Sequence, residues 1–196
     1  MSSKRCEQTN TNHIEENPPH MRIGIFADSH DHLENLRQTV EVFNKAHCEV
    51  VLFAGDLVST FAVPPLRKLR CPLVGCFGDN EGNKLGVLAG IRIVGQLGEG
   101  PFCYKAPDST RFLLAHMERQ LADIEGDFDV AVYAHTHKPR IHRDARGRLF
   151  VNPGEASGWT FNNPTVILLE TKPLDAQVVQ LPHAVSTLSE SRTIDK

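Results

Sequence analysis

No CxxC pair occurs among the five cysteines, and their odd number does not close a disulfide framework. Cys6, Cys48, Cys71, Cys76 and Cys103 are therefore read as free thiols, mostly small buried hydrophobes, and the expected location is the cytoplasm. No run reaches the roughly 18 apolar residues of a membrane span. The opening stretch MSSKRCEQTNTNHIEENPPH lacks the apolar core of a secretory signal. Positive charge is not in excess either: 21 Lys and Arg, scattered along the chain, stand against 24 Asp and Glu. Aromatic residues make up only 7% of the chain. A nucleic-acid or anionic-membrane surface needs clustered cations or stacking rings, so both are disfavoured.

What is present is a chain of 196 residues, 40% hydrophobic, which suits one domain with a sizeable core. Residues 1–20 and 183–196 are polar and aperiodic and read as loose tails around a folded domain at 21–182. RIGIFA (22–27), VVLFAG (50–55) and PLVGCF (72–77) are short apolar runs of strand length. After the first, Leu33, Leu36, Val40 and Phe43 recur at helical spacing, with Asp31 and Glu34 resembling a capping box. TFAVPPLRKLR forms a short helical connection after the second. Strands alternating with helices predict a parallel sheet buried on both faces. From about residue 91 the pattern changes to short strands: IRIVG, PFCYKA, TRFLLAH, VAVYAH, PRIHRD, RLFVNPG, TVILLE and AQVVQL, with DARGR as a hairpin turn.

The polar residues collect where these strands end. Asp28 and His30 follow the first, Asp56 the second and Asp79 the third; His116 ends RFLLAH, and His135 and His137 follow VAVYA. Ligands of such sheets bind outside the carboxyl ends of the strands, so convergence is the economical reading. Taken singly, each motif reads as readily as a half-buried imidazole or an ordinary turn acid. Together they exceed one tetrahedral zinc and suit two divalent ions sharing a carboxylate. Oxygen and nitrogen donors without thiolate favour Mn, Fe, Ni, Co or Zn over Ca or Mg, with manganese placed first.

In this order, DSHDH, AGD, GDNEG, LLAH, AHTH and NPGE resemble the calcineurin-like metallophosphoesterase superfamily. The likeness is to its small YfcE-type branch of phosphodiesterases, which also contains the retromer scaffold subunit, and it runs from about Met21 to Leu181. The resemblance implies an α/β fold, a four-layer α/β/β/α sandwich in a single domain. It also implies a hydrolase that uses two divalent metal ions and a metal-bridging hydroxide on a small phosphodiester. Carried over by position, Asp28, His30 and His137 would hold one metal, Asp79, His116 and His135 the other, and Asp56 would bridge. Asp56, Asp79 and His116 are expected to act in catalysis, and the Asn-Pro-Gly of NPGE to serve as structure near the site.

The pattern is departed from at three places. Asp79 stands where the family has Asn, Glu81 where Asp is common, and Ala134 where GHTH has Gly. Asp79 removes one unit of positive charge from a two-metal site, which predicts tighter metal binding and a bridging water of raised pKa. Asn80 occupies the position of a proton-donating histidine in many monoesterases, which leans the expectation toward diesters. His32 and Glu118 lie near the motifs and are read first as solvated loop residues. His13, His20, His47, His142 and His183 match no motif. The expected partner is a small-molecule phosphoester, with self-association left open. A catalytically weak protein-binding scaffold is the alternative, and a nuclease ranks after it; the complete set of imidazoles argues for the enzyme.

Overall fold

Residues 20–182 other than 123 and 125 are described in the computed structural model. Strand β1 (Arg22–Phe26) leads into α1 (Leu33–Lys45), then β2 (Val50–Phe53), a 3-10 turn at Thr60–Ala62 and α2 (Val63–Leu66). Next come β3 (Leu73–Cys76), α3 (Lys84–Ile91), β4 (Gly95–Gly98), β5 (Phe102–Lys105) and β6 (Arg111–Leu114). A second 3-10 turn, Glu118–Leu121, precedes β7 (Val130–Val132), β8 (Pro139–Arg143), β9 (Leu149–Pro153), β10 (Thr165–Thr171) and β11 (Leu174–Gln180). The tails expected at 1–20 and 183–196 lie, apart from His20, outside the described residues.

Two sheets form. The first has the order β11-β10-β1-β2-β3-β4, with β1 to β4 parallel as the alternating pattern predicts; the second has the order β5-β6-β7-β9-β8. Alternate residues decide what each face meets. Ile23, Ile25, Leu52 and Val74 pack against Phe112, Leu114, Val130 and Val151 of the second sheet. Phe26, Val51, Phe53 and Leu73 point the other way, onto Leu36, Val40, Phe43, Val63 and Val87 of the helices. The outer face of the second sheet carries a thin fourth layer, the turn at Glu118–Leu121 over Leu113, Phe128, Ala131 and Tyr133. The sandwich is therefore thick on one side and sparse on the other. DARGR does turn β8 into β9, closed by hydrogen bonds between Asp144 and Arg148.

Two local expectations are corrected. Helix α1 is capped by His32, whose side chain accepts from the backbone of Asn35, and not by Asp31. Asp31 has a left-handed φ of 56° and its carboxylate instead accepts from the backbone N–H of Ser59. IRIVG is not a strand: Ile91 ends α3, the next residues turn, and the strand is β4. No described helix is long and apolar enough to cross a membrane.

Candidate metal centre

All seven candidate residues follow the carboxyl ends of β1, β2, β3, β6 and β7, and the turns that carry them are tightly wound. Asp28, His30, Asp56, His135 and His137 all have φ between 40° and 69°. For residues other than glycine this region is unfavourable by about 1–2 kcal/mol each, so the surrounding contacts must hold it. They do so by zipping the turns together. The N–H of Asp28 donates to the Gly55 carbonyl, and those of Ser29 and His30 donate to that of Asp56. Across the sheets, the N–H of His135 donates to Oδ2 of Asp28 at 3.1 Å, and that of Ala134 to the His116 carbonyl at 2.8 Å. Glycine is required at two points: a Cβ on Gly78 would strike the Asp56 carboxylate, and one on Gly55 would lie 2.6 Å from Nδ1 of His116.

These turns gather the seven side chains into two overlapping clusters. Donor atoms of Asp28, His30 and His137 lie within 4.8 Å of one another, as do those of Asp79, His116 and His135. Asp56 sits between them, its Oδ2 3.5 Å from Nε2 of His30 and 3.4 Å from Nε2 of His116. Hydrogen bonding decides which imidazole nitrogen faces inward. Nδ1 of His116 lies 2.7 Å from the Ala54 carbonyl, which only accepts, so the neutral ring turns the lone pair of Nε2 into the cluster. Nδ1 of His137 faces Oε2 of Glu155 at 2.9 Å, which likewise frees its Nε2 to face inward.

The electrostatics match an environment made for cations. Oδ1 of Asp28 is buried without a hydrogen-bond partner, and the buried Nε2 of His116 faces the carboxylates of Asp56 at 3.4 Å and of Asp79 at 2.8 Å. Burial pushes the carboxyl of Asp28 up to about 7, against the pull of His116 and His137. For Asp56 burial acts in the same direction but is overcome by His116 and by two hydrogen bonds from Asn80, which leave its carboxyl well below the usual range. His116, despite burial, is raised to about 9 by Asp56 and the Ala54 carbonyl. Burial lowers His30, with Asp56 opposing. Cations in the cluster would offset the cost of burying these acids and satisfy the orphaned Oδ1 of Asp28, so the donor set fits divalent metal ions.

Four residues outside the seven support the site, and no role had been assigned to Glu155 or Glu81 from sequence. Glu155, fully buried, accepts from His137, from the Ser157 hydroxyl and from the backbone N–H groups of Thr160 and Phe161. Those backbone bonds overcome its burial and lower its carboxyl. Asn80 braces Asp56 through its backbone N–H and its amide. Glu81 accepts from the backbone N–H groups of Asp56 and Leu57 at 2.9 and 3.3 Å. Asn152 donates to the Ala134 carbonyl and to Thr136, fastening the turn with both histidines, as expected of NPGE. His32 is the helix cap, and Glu118 pairs loosely with Arg140 at the surface. A cavity of about 490 Å³ is lined by Leu121, Phe128, Arg148 and Phe150 and by none of the seven.

A family model described as the calcineurin-like phosphoesterase superfamily domain matches residues 21–173. The chain belongs to that superfamily. It is accordingly a phosphoesterase by family, a hydrolase. Phosphodiesterase MJ0936 of Methanocaldococcus jannaschii is 31% identical over 157 residues, covering 78% of this calcineurin-like chain and 94% of the relative. A solved structure of an archaeal phosphodiesterase aligns with TM-score 0.76 and 27% identity over 82% of this chain and 100% of its own. The fold is also that of YfcE, a phosphoesterase from E. coli, with TM-score 0.57 and 15% identity over 83% of this chain and 100% of that one.

Proposed function

We propose that this protein is a two-metal phosphodiesterase acting on a small phosphodiester, with its catalytic domain at 21–182. The observation that carries the reading is the Asp56 carboxylate standing between two clusters and facing one imidazole Nε2 of each, that of His30 and that of His116. Asp28, His30 and His137 would hold one ion, Asp79, His116 and His135 the other, and Asp56 both. Bound there, the ions would supply a water nucleophile at neutral pH and polarise the phosphoryl group. Manganese is our first choice, with Fe, Ni, Co or Zn also suited to oxygen and imidazole donors.

The chain's own groups account for the diester preference. Asn80 directs its amide at Asp56 and holds that carboxylate in place; an amide does not surrender a proton to a departing alkoxide. Diesters with stabilised leaving groups are then favoured over ordinary monoesters. The Asp79 carboxylate adds a negative charge at the open side of the site, which strengthens metal retention and weakens the pull on an anionic phosphate. Cys48, Cys71, Cys76 and Cys103 are free thiols, which supports a cytoplasmic location.

The test is hydrolysis of a chromogenic diester and its matched monoester by metal-stripped protein reloaded with Mn, Ni, Co, Zn or Mg, beside a His135→Ala control. Metal-dependent diester cleavage, lost in the control, is expected. Faster monoester cleavage would overturn the diester preference, and two bound ions without turnover would move the reading to the scaffold.

A further inference from the structure

Beside the first cluster stands a pair of aromatic rings that the metal chemistry does not use. Trp159 and Phe161 are 65% and 47% exposed, and Thr160 between them places its hydroxyl 2.8 Å from Nδ1 of His137. Exposure of this much apolar surface forgoes a burial worth about 25 cal/mol per Å², so a large ring fixed in the open asks for a ligand.

The indole of Trp159 is fixed. Its Nε1 donates to the His30 carbonyl at 3.3 Å, and its backbone N–H to the Ser157 hydroxyl at 3.4 Å. One ring face is backed by His32 at 4.4 Å between centroids, and His32 is itself held as the cap of α1. A cleft of about 170 Å³, lined by His32, Asn35, Ser157, Trp159 and Pro164, opens beside it. On the other flank Lys138, next to His137, sets Nζ 5.1 Å from the centroid of Phe161 and brings a positive charge to the same rim. A rigid exposed ring, backed on one side and one backbone bond from a candidate metal ligand, is built to stack a planar group whose phosphate reaches the site.

We propose that Trp159 forms a stacking subsite for a planar aromatic group, of the nucleobase kind, on one arm of the phosphodiester. Phe161 and Lys138 border the same rim. The inference rests on the phosphodiesterase reading for its substrate, and its test separates the two.

Trp159 is the single tryptophan, so its emission reports on its own ring. The zinc-loaded chain is titrated with adenosine 5′-monophosphate and, in parallel, with ribose 5-phosphate. Quenching and tighter binding are expected with the first and neither with the second. In the kinetic arm, p-nitrophenyl thymidine 5′-phosphate and methyl p-nitrophenyl phosphate share a leaving group and differ in the other arm. Trp159→Ala should lower the ratio of their kcat/KM values about tenfold, and Trp159→Phe should keep most of it. Equal binding of the two phosphates, or an equal loss on both diesters in Trp159→Ala, would overturn the subsite. Selective quenching without turnover of either diester would uphold the subsite and remove the phosphodiesterase reading instead.

Discussion

The two halves of the candidate centre contain the same donors, one carboxylate and two imidazoles apiece, yet they are supported differently. Asp28 is buried, the side chains of His30 and His137 are 22% and 18% exposed, and His137 is fastened from behind by a buried Glu155 that itself accepts from three further donors. In the other half only His116 is buried; the side chains of Asp79 and His135 are 41% and 46% exposed. Among the described residues, no second carboxylate accepts a hydrogen bond from His135 to orient it. One half is thus organised by the protein before any ion arrives, and the other leaves more of its geometry to the ion. Such a difference teaches where tightness and turnover reside: the braced half should retain metal, and the open half should exchange it and admit substrate.

The largest effect is expected where the halves meet. Asp56→Ala should lower diester turnover on the order of a thousandfold and weaken both ions together, measured by calorimetric metal titration. Wild-type affinity for either ion in that variant would refute the shared position. Glu155→Gln keeps the shape but removes the charge behind His137. A loss of about 10- to 100-fold in affinity is expected, confined to the tighter ion. Equal weakening of both ions would erase the distinction between braced and open halves.

Much of this was legible in sequence because each candidate ligand sits in a short motif directly after an apolar run, and an apolar run is the physical signature of a buried parallel strand. Asp28, His30, Asp56, Asp79, His116, His135 and His137 were all singled out that way, and the fold brings them together. The hairpin at DARGR and the helix after Leu33 were equally plain, since turn residues and a helical stripe are local signals. Helix α3 was hidden: KLGVLAGI has two glycines and no polar face, so it shows no period to read. Asp31 looked like the cap because Asp is a favoured cap residue, but its left-handed backbone puts it outside that role and passes the task to His32. Glu155 and Trp159 depend on contacts with His137, His30 and His32, between 18 and 129 positions distant. Spacing carries no signal for such packing.

The open half is sharpened by Asp79→Asn. Restoring one unit of positive charge should weaken the more loosely held ion about tenfold, the scale of one charge-assisted contact. The pH-rate profile should move to lower pH, because a more positive centre lowers the pKa of its water. A profile that stays in place would contradict the charge argument and leave Asp79 as a neutral exchange.

The smallest effect separates two contacts on one nitrogen. Nδ1 of His137 lies 2.9 Å from Oε2 of Glu155 and 2.8 Å from the Thr160 hydroxyl, and it has one proton to donate. The carboxylate is buried and ionised, so it is the stronger acceptor by roughly a factor of two in hydrogen-bond energy. Thr160→Val should therefore change metal affinity by less than about threefold, the range of a weak neutral bond, where Glu155→Gln changes it far more. If the valine variant lost as much affinity as the glutamine variant, His137 would be oriented by the hydroxyl. The bracing of the first half would then lie in the loop carrying Trp159 rather than in the buried charge.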